Sequence, residues 1–322
     1  VKAVRVHQFG GSEVLRLEEV AEPSPRADEA LVAIDAAGVN YIDVYFRTGA
    51  YKMTPPFTPG LEAGGTVVAV GADVTTVKTG DKVAYTSVPG AYAQFAAVPA
   101  QRLVVLPPGL STKQGAAAIL QGMTAHYLAV STRPLANGDT CLVHAAAGGV
   151  GLLLCQIAKL RGARVIGTVS TEDKARLARQ AGADDVILYS QQDFEPEVKR
   201  LTRGKGVEVV YDGVGKATFD KGLACLEPRG MMVLYGQASG GVGPFDPQVL
   251  NARGSLFLTR PKLDDYIRSR EELVARAGEV LGWIRDGTLA IRVEREYALA
   301  DAAQAHRALE GRKTTGKLLL IP

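Results

Sequence analysis

Thr140-Cys141-Leu142-Val143-His144-Ala145-Ala146-Ala147-Gly148-Gly149-Val150-Gly151 is a short apolar run that breaks into small residues and glycines. Val150, Leu153, Leu154, Ile157 and Ala158 follow at helical spacing, so the stretch reads as a strand, a tight turn and the start of an amphipathic helix. Ala146, Gly148 and Gly151 occupy the small-residue places of the dinucleotide pattern G-x-G-x-x-G, with alanine in the first. Lacking side chains, Gly148 and Gly149 allow backbone N–H groups to approach a pyrophosphate at the positive end of the helix. The opening alanine weakens the match, and the plain alternative is a strand-to-helix turn without special function.

Outward from this stretch, the C-terminal side alternates apolar runs with helical text. Strands are expected near 140–144, 164–169, 186–189, 207–212, 230–235 and 254–259. About six strands separated by helices imply a doubly wound parallel sheet, because parallel neighbours need crossover helices. The first hundred residues instead alternate with period two and are cut by glycine and proline, which argues a β-rich domain. Its clearest strands are 4–6, 14–17, 31–34, 66–70 and 82–85, and Asn40 to Thr48 is a short helix stopped by Gly49. A helix is expected from Ser111 to about Val130 and another from Asp264 to Asp286, the latter with Leu273, Ala277, Val280, Leu281 and Ile284 on one face. The last strand, Gly316 to Ile321, does not extend the nucleotide alternation and is assigned to the first domain. The sheet domain is therefore an insertion: 1–124 and 265–322 form the β-rich domain, and 125–264 the doubly wound one.

Composition bounds the function. The chain has 322 residues, 47% of them hydrophobic and 22% charged, with a net charge of +3. That mild charge, without a basic run, gives no ground for nucleic acid as the main partner. No apolar run reaches membrane-spanning length, and the opening Val1-Lys2-Ala3-Val4-Arg5-Val6 alternates like a strand, not like a signal peptide. Cys141, Cys155 and Cys225 lack C-x-x-C spacing and read as buried small hydrophobes, so a cytoplasmic location is expected. His7, His126, His144 and His306 are scattered without ligand spacing.

The place where an NAD site carries an acidic residue, after the second strand of the nucleotide half, holds Ser170. Glu172 and Asp173 read as first-turn acids of a helix capped by Ser170-Thr171. Lys174 stands where a cation meets a 2′-phosphate, or else is a solvated helix lysine. Charge-assisted hydrogen bonds contribute about 1.5–3 kcal/mol each, so two or three favour NADPH over NADH by roughly a hundredfold or more.

Several segments together resemble the medium-chain dehydrogenase/reductase family, and within it the zinc-free quinone oxidoreductase branch, the relatives of zeta-crystallin. They are Gly38-Val39-Asn40-Tyr41-Ile42-Asp43 with Tyr45, Pro59 to Gly65, Ala145 to Gly151, Val210 to Gly215, and Thr259-Arg260-Pro261. The resemblance implies a GroES-like catalytic domain, an inserted Rossmann domain and a homodimer joined through the edge strand near Gly254 to Leu258. It implies that Lys174, Tyr189 and Arg312 hold a 2′-phosphate. It further implies cofactor contacts from Asn40, Tyr41, Thr124, Ala147, Gly148, Gly149, Val150, Ser170, Gly213, Gly236, Gln237, Thr259 and Arg260. Zinc-dependent relatives carry cysteine where Asn40 stands and histidine where Leu61 stands, so no metal is expected.

Without a metal to polarise a carbonyl, the acceptor must be intrinsically electrophilic: a quinone, whose reduction restores aromaticity, or an enone, 2-alkenal or haloacrylate. The expected donors to the developing oxyanion are Asn40 through its amide, Tyr45 and Tyr51, with Tyr92 weaker. Asp43 is expected to cap or orient the short helix. A non-catalytic RNA-binding or crystallin-like role is the reading of a different class.

Overall fold

Period-two alternation in the N-terminal third and the strand-to-helix alternation beyond it resolve into two kinds of sheet in a computed structural model that describes all residues, 1–322. In chain order the elements are β1 (Lys2–Arg5), β2 (Arg16–Glu19), β3 (Glu29–Val39), α1 (Tyr41–Thr48), β4 (Glu62–Val70), β5 (Lys82–Thr86), β6 (Phe95–Pro99), β7 (Val104–Val105) and α2 (Thr112–Tyr127). There follow β8 (Thr140–His144), α3 (Gly149–Leu160), β9 (Arg164–Val169), α4 (Glu172–Gln180), β10 (Asp185–Leu188), α5 (Phe194–Leu201), β11 (Val207–Asp212), α6 (Phe219–Ala224), β12 (Leu226–Leu234), α7 (Gln248–Ala252) and β13 (Phe257–Thr259). The chain closes with α8 (Arg270–Arg285), β14 (Val293–Ala298), α9 (Ala302–Glu310) and β15 (Lys317–Ile321).

The chain divides into two compact units, Val1–Met123 with Ile267–Pro322, and Thr124–Tyr266. In the first, a seven-stranded sheet runs β14-β15-β3-β4-β5-β7, and β6 pairs with the first half of β3 on the same edge that β15 takes at its end, opposite β4. β15 pairs in parallel with β14 and antiparallel with β3, Leu319 opposite Gly38, so β15 is an interior strand of this sheet. Alternate residues Val32, Ile34, Val67, Val83, Tyr85, Val98, Leu318 and Leu320 build its core. α1 begins after the extended Asn40 and ends at Gly49, whose φ of 79° is the left-handed C-cap that favours glycine.

The second unit is a six-stranded sheet, order β10-β9-β8-β11-β12-β13, parallel throughout. From β8 the chain moves one way through β9 and β10, then returns to the opposite side of β8 as β11. The strand order therefore reverses between β8 and β11, where ligands of such sheets bind. Leu142, Ile166, Ile187, Val210 and Met232 fill one face against Phe194, Val198, Phe219 and Leu223.

Some expected boundaries shift. The helix expected from Asp264 starts at Arg270, because Ser269 caps it in a capping box with Glu272, and Leu263–Tyr266 is a separate 3₁₀ turn. β13 is confined to 257–259, since Gly254 (φ 98°) and Ser255 (φ 58°) turn the chain just before it. β6, β7 and β14 were not anticipated: β7 is two residues long, and β14 is mostly exposed and so lacks the apolar alternation that marks a strand. No helix is long and apolar enough to cross a membrane.

Candidate functional site

In the second unit the site is built from backbone. β8 ends at His144, Ala145 takes a left-handed φ of 52°, and α3 starts behind its N-cap Gly148. The turn closes through Gly148 N–H donating to Ala145 O at 2.8 Å and Leu152 N–H to Gly148 O at 2.9 Å. A Cβ on Gly151 would collide with the Ala145 carbonyl oxygen and stand 2.9 Å from the Ala146 backbone carbons, so only glycine lets the helix approach the strand this closely. Ala147 is buried, while Gly148, Gly149 and Val150 are partly exposed at the first turn of α3. Their N–H groups and the helix dipole form a cradle for an anion.

The next strand ends add to it. Asp212, fully buried at the end of β11, accepts from Val214 N–H (2.7 Å), Gly215 N–H (3.0 Å) and Thr218 Oγ1 (2.9 and 2.8 Å), and so folds the following loop around one carboxylate. Gly213 in that loop meets Gly236 after β12 so closely that a Cβ on Gly236 would stand 2.9 Å from Gly213 Cα. Gln237 is partly exposed beside them, Thr259 ends β13 and Arg260 follows it. Thr124 is buried in α2.

Ser170, Lys174 and Tyr189 converge at the ends of β9 and β10. Thr171, not Ser170, caps α4, accepting the Lys174 N–H at 3.3 Å. The β10 end is tied to the β9 end by Tyr189 N–H donating to Val169 O (3.1 Å) and Ser190 Oγ donating to Ser170 O (2.8 Å). Ser170 and Lys174 are partly exposed and Tyr189 is exposed, as a ligand there requires. Arg312 belongs to the first unit, exposed and in a left-handed turn (φ 54°) after α9. There its charge acts on Tyr41, whose hydroxyl burial pushes up while Arg312 pulls it back down.

In the first unit the site is made of side chains. Tyr41, Tyr45, Phe46 and Tyr51 form an aromatic cluster, with Tyr45 and Tyr51 ring centroids 5.1 Å apart and Tyr41 and Tyr45 5.8 Å. Tyr51 is held there by its N–H donating to Tyr45 O at 3.0 Å. Both expected acceptor tyrosines are partly exposed. Tyr92, the weaker candidate, is fully buried and its hydroxyl donates to Asp43 Oδ2 at 2.9 Å, which removes it from contact with an acceptor.

Asn40 is 4% exposed and its amide is engaged on every side. Nδ2 donates to Glu62 Oε2 (2.8 Å) and to Gly38 O (3.3 Å), and Oδ1 accepts from Lys317 Nζ (2.9 Å) and Gln121 Nε2 (3.2 Å). The expected donation from this amide to an acceptor oxygen therefore has no hydrogen left to supply it in this arrangement. Glu62 and Lys317 form an ion pair buried to 0% and 1% exposure, and the second Glu62 oxygen accepts Leu120 N–H at 2.7 Å. Gly38 makes room for this pair, since a Cβ there would stand 2.6 Å from Lys317 Cε.

A second buried chain starts at Asp43, which accepts the Asn40 N–H at 2.8 Å and so orients the start of α1, as expected of it. Tyr92 also meets His306 Nε2 at 3.1 Å, and Arg47 donates to His306 Nδ1 at 3.1 Å and bidentately to Glu310 (2.7 and 2.9 Å). Arginine can only donate, so the His306 hydrogen sits on Nε2 and the bonds run Arg47 to His306 to Tyr92 to Asp43. Burial pushes Asp43 up to about 7, against its hydrogen bonds from Asn40 and Tyr92. Burial, with the charge of Arg47, pushes His306 down to about 3.

Sequence reading missed Gln121, Glu62, Lys317, Asp212 and His306. The only local signal is Lys317, a charge heading the apolar run Leu318-Leu319-Leu320-Ile321. At the positions that hold zinc in zinc-dependent relatives, Asn40 offers an amide whose oxygen is already shared and Leu61 offers an alkyl group, so these residues do not fit the metal.

A parallel sheet with a glycine-lined turn at its reversal point, inserted into a GroES-like sheet unit, defines a pyridine-nucleotide dehydrogenase fold. The alcohol dehydrogenase GroES-like domain matches residues 26–108 and the zinc-binding dehydrogenase domain residues 149–270. A quinone oxidoreductase of Pseudomonas aeruginosa is 45% identical over 100% of this chain and 99% of its own. A 2-haloacrylate reductase of Burkholderia is 41% identical over 100% of this chain and 99% of its own. The structure of Escherichia coli quinone oxidoreductase complexed with NADPH superposes with a TM-score of 0.98 at 42% identity, covering 100% of both chains. The chain belongs to the medium-chain dehydrogenase/reductase family, in its quinone oxidoreductase branch.

Proposed function

We propose that this chain is an NADPH-dependent quinone reductase that works without a metal. The observation that carries the cofactor is the convergence of Ser170, Lys174 and Tyr189 at adjacent strand ends, in the same sheet as the glycine-lined start of α3. NADPH, when bound, supplies the hydride. The N–H groups of Gly148, Gly149 and Val150 would hold its pyrophosphate, and Lys174 with Tyr189 and Ser170 its 2′-phosphate. Arg312 is proposed as a third partner of that phosphate, and Tyr41, Thr124, Gly213, Gly236, Gln237, Thr259 and Arg260 as further cofactor contacts.

The first unit serves the acceptor. Tyr45 and Tyr51 present ring faces and hydroxyls suited to a flat quinone. Two electrons and one proton arrive as hydride, and a second proton from solvent completes the hydroquinone. Neither Asn40 nor Leu61 offers a Lewis acid's ligand set, which suits an acceptor electrophilic enough to need none.

The test is a cofactor titration followed by an acceptor comparison. NADPH should bind at least about tenfold tighter than NADH, and 1,4-benzoquinone and 9,10-phenanthrenequinone should be reduced faster than a 2-alkenal or 2-chloroacrylate. Faster turnover of either alkene would move the chain to the second reading, the one its haloacrylate-reducing relative favours. We further propose a homodimer through β13, an edge strand with Phe257 55% and Leu258 36% exposed. A cytoplasmic location accords with three free, buried thiols.

A further inference from the structure

The amide orientations in the first unit are dictated by charge. Lys317 Nζ can only donate, so the Asn40 atom facing it is the carbonyl oxygen; Glu62 Oε2 accepts, so the Asn40 atom facing it is the nitrogen. The buried ion pair thus sets Asn40 in one of its two flips, with no ambiguity between oxygen and nitrogen. That setting passes to the next residue. Because Asn40 presents an oxygen to Gln121 at 3.2 Å, Gln121 must turn its NH₂ toward it. One N–H of Gln121 is spent on Asn40. Its second N–H meets no protein acceptor, and the side chain is partly exposed where Asn40, Glu62 and Lys317 are buried.

We propose that Gln121, aimed by Asn40 and by the Lys317–Glu62 pair behind it, is the hydrogen-bond donor to the acceptor's oxygen. Resting on the quinone-reductase reading, this adds the group that meets the charge developing on that oxygen as hydride reaches the ring. Asn40 Oδ1 accepts from both Lys317 and Gln121, so the chain acts on Gln121 by fixing its orientation. Donation from the far N–H of Gln121 is preorganised by this chain, as an oxyanion donor must be. Asn40, Lys317 and Glu62 are positioning residues: their polar atoms are occupied by one another and by the backbone. Gln121 alone in the set has a spare hydrogen on a side chain that reaches partial exposure; Lys317, the other member with an N–H beyond its two bonds, is buried.

The test uses Gln121→Met, which keeps the length of the side chain and removes its donors, and Gln121→Glu, which keeps its shape. Two readouts are taken. Single-turnover oxidation of bound NADPH by 1,4-benzoquinone should slow about a hundredfold in both variants, while NADPH affinity, read by quenching of protein fluorescence, stays within twofold. The second readout needs no turnover. Bound 4-nitrophenol mimics the hydroquinone monoanion, and its absorbance reports ionisation. On the wild-type protein its pKa should fall below the value in water, and in Gln121→Met it should climb back by about one unit, a tenfold change in the ionisation constant. The proposal is overturned if Gln121→Met turns over within threefold of wild type, or if the bound phenol ionises alike on both. Wild-type protein that fails to oxidise NADPH with any quinone overturns the quinone-reductase reading as well, which separates the two failures.

Discussion

The nucleotide-facing turn of the second unit and the polar cluster of the first solve the same problem, holding hydrogen-bond donors still, in opposite ways. The turn uses backbone N–H groups and removes side chains: Gly148 to Gly151 span four consecutive positions, and their geometry is settled by the strand before and the helix after. The cluster uses side chains from β3–α1, β4, α2 and β15, with up to 277 positions between partners, and desolvates an ion pair to do it. Donors on a backbone turn are precise because the chain there is short. Donors on side chains are precise only if every neighbour is in place.

That contrast is most sharply tested by removing one member of the ion pair. Lys317→Met leaves the Glu62 carboxylate buried without its partner and should cost about 3–5 kcal/mol of stability in denaturant unfolding. Glu62→Leu added to it should restore much of the loss while Asn40 remains unaimed, so stability recovers and quinone turnover does not. Equal recovery of both would erase the distinction between support and chemistry.

The corresponding break in the second unit is Gly151→Ala. The new Cβ meets rigid backbone at Ala145 and Ala146, so the start of α3 must move; we expect NADPH affinity to fall by about tenfold to a hundredfold. Gly38→Ala makes the matching test in the first unit, where the obstacle is the Lys317 and Glu62 side chains. It should lower the turnover rate and leave NADPH affinity within about twofold.

Lys174→Ala should raise the KM for NADPH at least about tenfold and hardly change that for NADH, a loss of one charge-assisted bond. Equal effects on the two cofactors would remove the 2′-phosphate from this corner of the sheet.

A weaker signature lies in the pH dependence of stability. Asp43 holds its proton in the folded state up to about 7 against 3.8 ordinarily, so its contribution is full below pH 3.8 and is lost as pH rises toward 7. His306, pushed down to about 3 from 6.5, contributes stability that is full above pH 6.5 and is lost as pH falls toward 3. Between about pH 4 and 6.5 the two slopes are opposite, one proton each, and the pair's contribution to the wild-type profile should be flat. Each single variant unmasks the other group: relative to wild type, Asp43→Asn should gain stability with rising pH and His306→Gln should lose it, by about 1.4 kcal/mol per pH unit. Parallel profiles for wild type and both variants would mean that the two groups do not titrate as buried partners.

The same contrast explains which parts of the fold are legible in the sequence. Glycine spacing, apolar alternation and a capping threonine act within a few residues, and the parallel sheet, its nucleotide turn and the α1 stop at Gly49 were legible for that reason. Glu62 and Lys317 were not, because a lone acid and a lone base give no sign that they meet under Asn40. Asn40 was read as the donor because its residue type is right. Both its hydrogens are spent on Gly38 and Glu62, and Gln121 stands next in line, contacts that no local pattern announces.

β15, an interior strand of its sheet, also sets an order of events during synthesis. Residues 124–266 hold every strand of their own sheet, so that unit can close while the ribosome is still adding later residues. The first unit cannot: β3 and β4 emerge early but wait for β15, whose Lys317 is made 255 positions after the Glu62 it neutralises. A nascent chain stalled before Lys317 should therefore resist protease across its nucleotide-binding half and be cut throughout the other.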